Sequence, residues 1–302
     1  MKIKKLFLNV SLILGLILSA NTLLCAQDYV FQVLAIDGEA LYMKGDHWQA
    51  VELGQSLMAN DIVRVERNTY LGLAHQNGAT LSLRKEGTYE IDHLSSKVGN
   101  QKRNVASKYA NLYVKSLKNA SNKTVTASAE RGIDQNRVKI FLPNSVDVFN
   151  DEVILRWKNM STIDEKYEVK LKNMFNEVIA VEEVQDTKTV LNFKDEKIAK
   201  ERMIIVSVNS TEFKDQQSND YGMKHLTPEE AAPIAQELKE LKLEITDEQS
   251  ALDKLILASF YEQNNLLADA LTNYEYAISL APEVEAFRVA YNQFIFRNGL
   301  AN

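Results

Sequence analysis

Cysteine is almost absent from this chain of 302 residues, where Cys25 is the only one. It sits inside the N-terminal apolar stretch, so cleavage after Ala26 leaves a mature protein with none. Such a protein has no intramolecular disulfide, no thiolate nucleophile and no cysteine metal site. Histidine is scarce too. The four, at 47, 75, 93 and 225, share no helical or hairpin ligand spacing, so each is expected at the surface or in a turn rather than on zinc. Glycine-rich phosphate loops are missing, and Ser121, Ser128 and Ser145 lack the Gly-x-Ser-x-Gly setting that exposes a nucleophile. Among 41 carboxylates no acid/base pair stands out from the solvated background. Positive charge is also short. The formal net charge of −6 falls to −9 once Lys2, Lys4 and Lys5 leave with the N-terminal segment, which argues against a nucleic-acid partner. The expectation is therefore no enzyme, with no catalytic, cofactor-binding or metal-ligating residue.

The N-terminus has a positive head at Lys2, Lys4 and Lys5. An apolar run from Leu6 to Ala20 follows, broken only by Asn9, Ser11 and Ser19, and the small Ala26 precedes the polar Gln27 and Asp28. Residues 1–26 therefore read as an export signal, placing the protein in the periplasm or cell envelope. Two alternatives stand beside this. About 20 apolar residues suffice to span a bilayer as an uncleaved anchor. Cys25 is also the residue a lipoprotein would acylate, although Leu24 stands where that motif wants Gly or Ala. Membrane contact is expected only if Cys25 is lipidated or the signal stays attached. No second long apolar run exists, so the remainder is expected to be soluble.

Residues 29–92 alternate like short strands separated by tight turns at Asp37-Gly38, Lys44-Gly45-Asp46, Leu53-Gly54-Gln55, Asn60-Asp61 and Gln76-Asn77-Gly78. Asn-Gly is the strongest short hairpin signal, so 69–74 and 79–83 are expected to pair. A small antiparallel sandwich or barrel follows from this punctuation. The order of Asp37-Gly38, Trp48 with Val51, Leu53 and Gly54, then Asn60-Asp61-Ile62-Val63-Arg64-Val65 and Asn77-Gly78-Ala79-Thr80-Leu81-Ser82-Leu83 resembles the FecR-type domain. The likeness covers about a fifth of the chain. FecR-type regulators carry a cytoplasmic region and a membrane span ahead of this domain, where this chain has a signal sequence. The resemblance thus implies an envelope β domain over 27–94 that meets protein or glycan partners, without the sigma-factor-regulating role.

Residues 95–136 form a basic, Ser- and Asn-rich stretch containing Lys97, Lys102, Arg103, Lys108, Lys115, Lys118 and Lys123. Within it Val105, Tyr109, Leu112, Tyr113 and Leu117 lie at helical spacing, which predicts a helix at about 103–119 crossing outside the sandwich, then a linker. The lysines are expected to form a solvated face, with an anionic glycan or lipid as the competing use. Ala129-Glu130-Arg131-Gly132 fits either a linker or the Arg-Gly turn that follows the sandwich in FecR-like chains. Residues 137–213 are β-patterned again over 138–142, 153–157, 167–171, 178–181, 189–193 and 203–208, with Trp157 directed inward. Together they resemble an immunoglobulin or fibronectin type III sandwich in architecture, a framework that hosts many functions.

From Thr227 the pattern turns helical. Thr227-Pro228-Glu229-Glu230 predicts a capping box with proline at the first helical position. A second helix begins at Asp247 or Ser250, Asn264-Asn265 makes a turn, 267–280 forms a third helix and 284–296 a fourth. Leu257, Ala258, Tyr261, Ala270, Tyr274, Ala277 and Pro282 follow the spacing of one helical hairpin and resemble a tetratricopeptide repeat, a unit that holds other proteins. One repeat with flanking helices cannot stand alone, so these helices are expected to pack on the preceding sandwich or on a partner. Lys254, Ser259 and Glu262 are expected on the outward face of the hairpin's first helix, lining a peptide groove.

The fold class expected is α+β multidomain: two antiparallel β-sandwiches followed by a helical, tetratricopeptide-like region over 227–302, with three separately packed cores. The expected function is that of an exported, non-catalytic scaffold or binding component. Its partners are an envelope protein or cell-wall glycan, met through sandwich loops and the helical groove. A sensor in a FecR-like transport relay and a hydrolase with an unrecognised carboxylate site are the alternatives.

Overall fold

The computed structural model describes residues 29–98, 104–121, 137–158, 166–213, 215–245 and 250–300. Residues 1–26, expected to be an export signal, and Ala129-Glu130-Arg131-Gly132 lie outside these. The architecture is mixed α/β, with several antiparallel sheets in the N-terminal part and four helices at the C-terminal end.

The first eight strands are β1 (Phe31–Asp37), β2 (Ala40–Lys44), β3 (His47–Ala50), β4 (Ser56–Leu57), β5 (Ile62–Val65), β6 (Tyr70–His75), β7 (Thr80–Leu83) and β8 (Gly87–Glu90). They form two antiparallel four-stranded sheets, β4-β1-β6-β7 and β3-β2-β5-β8. Glycine makes two of the turns possible. Gly38 has φ 90° and Gly78 has φ 93°, a region that side chains with a Cβ rarely enter. Phe31, Val33, Leu57, Leu71, Leu73, Val63 and Val65 alternate inward and bury one shared core, which Ile91 and Leu94 of helix α1 (Ile91–Val98) close.

The second β unit contains β9 (Ser145–Val148), β10 (Glu152–Arg156), β11 (Tyr167–Lys172), β12 (Val178–Val184), β13 (Lys188–Asn192), β14 (Met203–Ser210) and β15 (Tyr221–His225). Five of these run in the order β12-β11-β14-β15-β9, and β10 pairs with β13 apart from them. The all-antiparallel expectation is corrected at one seam, because β9 runs parallel to β15. The predicted strand at 138–142 reduces to a single bridge between Ile140 and Trp157. Trp157 is buried as expected, edge-on to Tyr167 with ring centroids 5.4 Å apart.

Helices α3 (Pro228–Glu244), α4 (Ala251–Gln263), α5 (Leu267–Leu280) and α6 (Glu285–Arg297) follow. The capping box forms as the sequence predicts. Glu230 N–H donates to Thr227 Oγ1 at 3.3 Å, and Thr227 N–H donates back to Glu230 Oε2 at 3.0 Å. That same carboxylate accepts from Lys224 at 2.7 Å, and the Lys224 hydrogen bond followed by the Thr227 one pulls its pKa down to about 2. In the α4–α5 hairpin Ala258 and Ala270 are fully covered, Tyr261 and Tyr274 are buried beside them, and Asn265 takes φ 58° in the turn.

Three separate cores do not form. The buried apolar residues gather into two clusters, and the larger runs through the second β unit, the C-terminal helices and helix α2 (Asn104–Ser121). It also takes in Leu34, Ala35, Tyr70 and Ala74 from the opposite face of β1 and β6. Strand β6 is therefore buried on both faces. Helix α2 lies on the outer face of the first sandwich, where the C-terminal helices cover it. Ala106, Tyr109, Ala110, Tyr113, Val114 and Leu117 are all buried, and α2 packs against α4, α3, α6 and the β1–β6 face. Close approach explains Gly72: a Cβ there would lie 2.6 Å from Leu252 Cδ2 of α4. The helices thus fill the space between the two β units. Tyr70 meets Phe287 edge-on at 5.5 Å, Thr80 donates to Asp253 at 2.7 Å, and Glu285 N–H donates to Asp37 at 2.9 Å.

Candidate functional site

Helix α5 is joined to the second β unit by side chains that replace a missing strand. The N–H groups of Phe149 and Asn150 donate to the two oxygens of Asp269, at 3.0 and 2.8 Å, and Asn150 Nδ2 adds a third bond at 2.6 Å. One turn on, Ile154 N–H donates to Thr272 Oγ1 at 2.8 Å, so α5 covers the edge of β10 that β13 leaves open. Glu275 continues the row, pairing with Arg156 at 3.3 Å and Lys188 at 3.4 Å. Asp269 is wholly covered. Burial pushes its carboxyl up to about 6, against the pull of the three N–H donors.

This docking leaves a polar cleft of about 380 Å³ between the hairpin and the β9–β10 turn. Lys254, Leu257 and Tyr261 of α4 form one wall, and Thr272, Asn273 and Tyr276 of α5 form the floor. Lys242 of α3 closes one end, and Asn150, Asp151, Glu152, Asn192 and Lys194 complete the β side. Internal bonds hold these groups in place. Lys194 pairs with Asp151 at 2.5 Å, Asn192 Nδ2 donates to Glu152 at 2.9 Å, and Tyr261 Oη donates to Asn150 Oδ1 at 3.3 Å. The Lys254 ammonium lies 5.4 Å from the centroid of the half-exposed Tyr276 ring.

Of the three residues expected to line a groove, the structure brings only Lys254 to the cleft. Ser259 is 3% exposed, which overturns its outward placement. Glu262 is turned into a bidentate pair with Arg297, at 2.6 Å for both bonds, and also accepts from Asn298 at 2.8 Å. Helical geometry gives the reason. At about 100° per residue, 257 and 261 fall near the direction of 254, whereas 262 stands about 80° away and 259 about 140° away. Those flanks of α4 are covered by its neighbouring helices and β7. Leu257 and Tyr261 are core residues, 4% and 2% exposed, whose remaining surface borders the cleft. Asn273 and Asp269 gave no sequence signal beyond ordinary helix polarity.

The histidines need one correction. His47 and His93 are exposed and His225 is half-buried, stacked on Phe193 at 5.0 Å, but His75 is 8% exposed. Its Nδ1 accepts from Asn77 N–H at 3.2 Å, so the proton sits on Nε2, which faces Ser95 Oγ at 3.0 Å. The imidazole therefore donates to the serine, the reverse of what activating a nucleophile requires. Among the described residues no group of three or more His, Cys, Asp or Glu is placed to hold a metal ion, and no helix is long and apolar enough to cross a membrane. No family model matches the chain, and no curated protein does.

Proposed function

We propose that this protein is a non-catalytic, exported component of the cell envelope that binds a macromolecular partner through the cleft between its helical hairpin and its second β unit. In this reading 27–94 is a FecR-type domain, 137–213 an immunoglobulin- or fibronectin-like sandwich, and α4 with α5 a tetratricopeptide-like hairpin. The cleft is the observation that carries the proposal. Its polar groups come from five separate segments, and the bonds of Asp151, Glu152 and Asn150 hold them preorganised, which lowers the ordering cost of binding. The apolar run at 6–20 behind three lysines supports export.

Site-specific photocrosslinking tests this. A photoreactive residue placed at Lys254 or Tyr276 of the full chain should capture a defined envelope component that a probe at Val190, on the exposed face of β13, does not. Identical capture patterns at all three positions would remove the cleft from the account. Mass spectrometry of the mature N-terminus tests the address: Gln27 marks a released species, and lipidated Cys25 marks a membrane tether.

A further inference from the structure

Resting on the reading of the cleft as a binding surface, we infer that its ligand is an N-acetylated saccharide. Charge separates this from an acidic peptide. Lys194, Lys242 and Lys254 converge there from three segments, but Asp151 and Glu152 stand in the same wall, and Lys194 is already spent on Asp151. Three cations against two carboxylates leave a single positive charge, on a chain whose net charge is −6. A polyanion would gain little and would meet both carboxylates at close range.

A neutral polyol fits the same wall better, because each hydroxyl both donates and accepts. The cleft offers ammonium and amide donors next to carboxylate and amide acceptors. Asn273 is the most telling of them. It is 6% exposed, and its Nδ2 is held by the Asp269 carbonyl at 2.9 Å, which orients the remaining carbonyl oxygen at the cleft floor. An acetamido N–H is the donor that matches a fixed amide oxygen. Its methyl group requires an apolar spot nearby, which Leu257 and the two tyrosines supply. The half-exposed Tyr276 ring gives a sugar an aromatic surface. At about 380 Å³ the open cleft falls within the volume range of small-ligand sites.

Calorimetric titration of the full chain with triacetylchitotriose, maltotriose and hexaglutamate tests the assignment. Triacetylchitotriose should bind saturably with a Kd below about 1 mM. Asn273→Ala should weaken it about fivefold, the worth of one hydrogen bond. Because Asn273 is buried, Tyr276→Ala at the exposed rim provides a second variant; it should also weaken binding about fivefold with an unchanged melting temperature. Absence of binding at millimolar saccharide, binding indifferent to Tyr276→Ala, or preference for hexaglutamate overturns the inference. Equal affinity for maltotriose overturns the acetamido part of it. A crosslinked protein partner at Lys254 without saccharide affinity would sink this inference while leaving the binding function standing.

Discussion

Replacing Asp269 probes the joint between the helices and the second β unit. Its carboxylate accepts from two backbone N–H groups and one side-chain amide, so Asp269→Ala removes the acceptor and orphans the Phe149 and Asn150 amides. An unsatisfied buried donor costs about 1–3 kcal/mol, and two of them at a turn that water can partly reach give about 3 kcal/mol. Asp269→Asn acts differently. It loses one acceptor oxygen but also removes the cost of burying a charge, two opposing effects of similar size, so its stability at neutral pH should stay within about 1 kcal/mol of wild type. The diagnostic is the pH slope. The folded carboxyl titrates at about 6 against 3.8 as the ordinary value. Between those values the folded state holds a proton that the unfolded state has released, so stability falls as pH rises from about 4 to about 6 and levels off above. A shift of about two units corresponds to about 3 kcal/mol. Urea titrations followed by far-UV circular dichroism at pH 4, 5, 6 and 7 should show this decline in wild type and a flatter profile in Asp269→Asn. Hydrogen exchange at the Phe149 and Asn150 amides should accelerate in Asp269→Ala. Parallel pH profiles for wild type and Asp269→Asn, or an Asp269→Ala protein within 0.5 kcal/mol of wild type by the same bookkeeping of about 1–3 kcal/mol per orphan, would refute the reasoning.

Three further perturbations test the packing. Tyr113→Ala should cost about 3–5 kcal/mol, because its ring is buried where α2 meets the first sheet, and thermal unfolding would register it. Gly54→Ala should destabilise by about 1–3 kcal/mol: φ is 74°, and the new Cβ would lie 2.6 Å from Lys118 Cε and 2.9 Å from Val114 Cγ1; wild-type melting behaviour would contradict this. Glu262→Ala should cost about 3 kcal/mol by leaving Arg297 without its carboxylate, and the double variant with Arg297→Ala should recover at least 1 kcal/mol of that in a double-mutant cycle, about the coupling expected for groups in contact. If Glu262 instead served a partner, its removal would leave stability unchanged.

Much of the local structure was legible in the residues themselves. The helix at 267–280 has the bounds that the sequence predicts, and Asn77-Gly78 and the Thr227 capping box form as their chemistry requires. Lys254 was found because a lysine inside an otherwise apolar helical stretch is visible in sequence; the structure leaves it half-buried at the cleft. The rest of the cleft was not, since Leu257 and Tyr261 carry the signature of core residues, are buried as such, and border the cleft only where the β9–β10 turn meets the hairpin.

Sequence alone determined most of the strands and helices, because backbone sterics, turn glycines and capping bonds act within a few residues, although 138–142 was read as a strand and α1 was not foreseen. Tertiary structure decided what covers each face. Tyr70 and Ala74 lie on the face of β6 turned away from the first core, and are buried because α2, α4 and α6 pack over that face. Asp269 reads as an ordinary acidic residue in a first helical turn, and became a buried acceptor for a turn about 120 residues earlier in the chain. Such pairings depend on which distant surfaces meet, and periodicity within one segment carries no record of that.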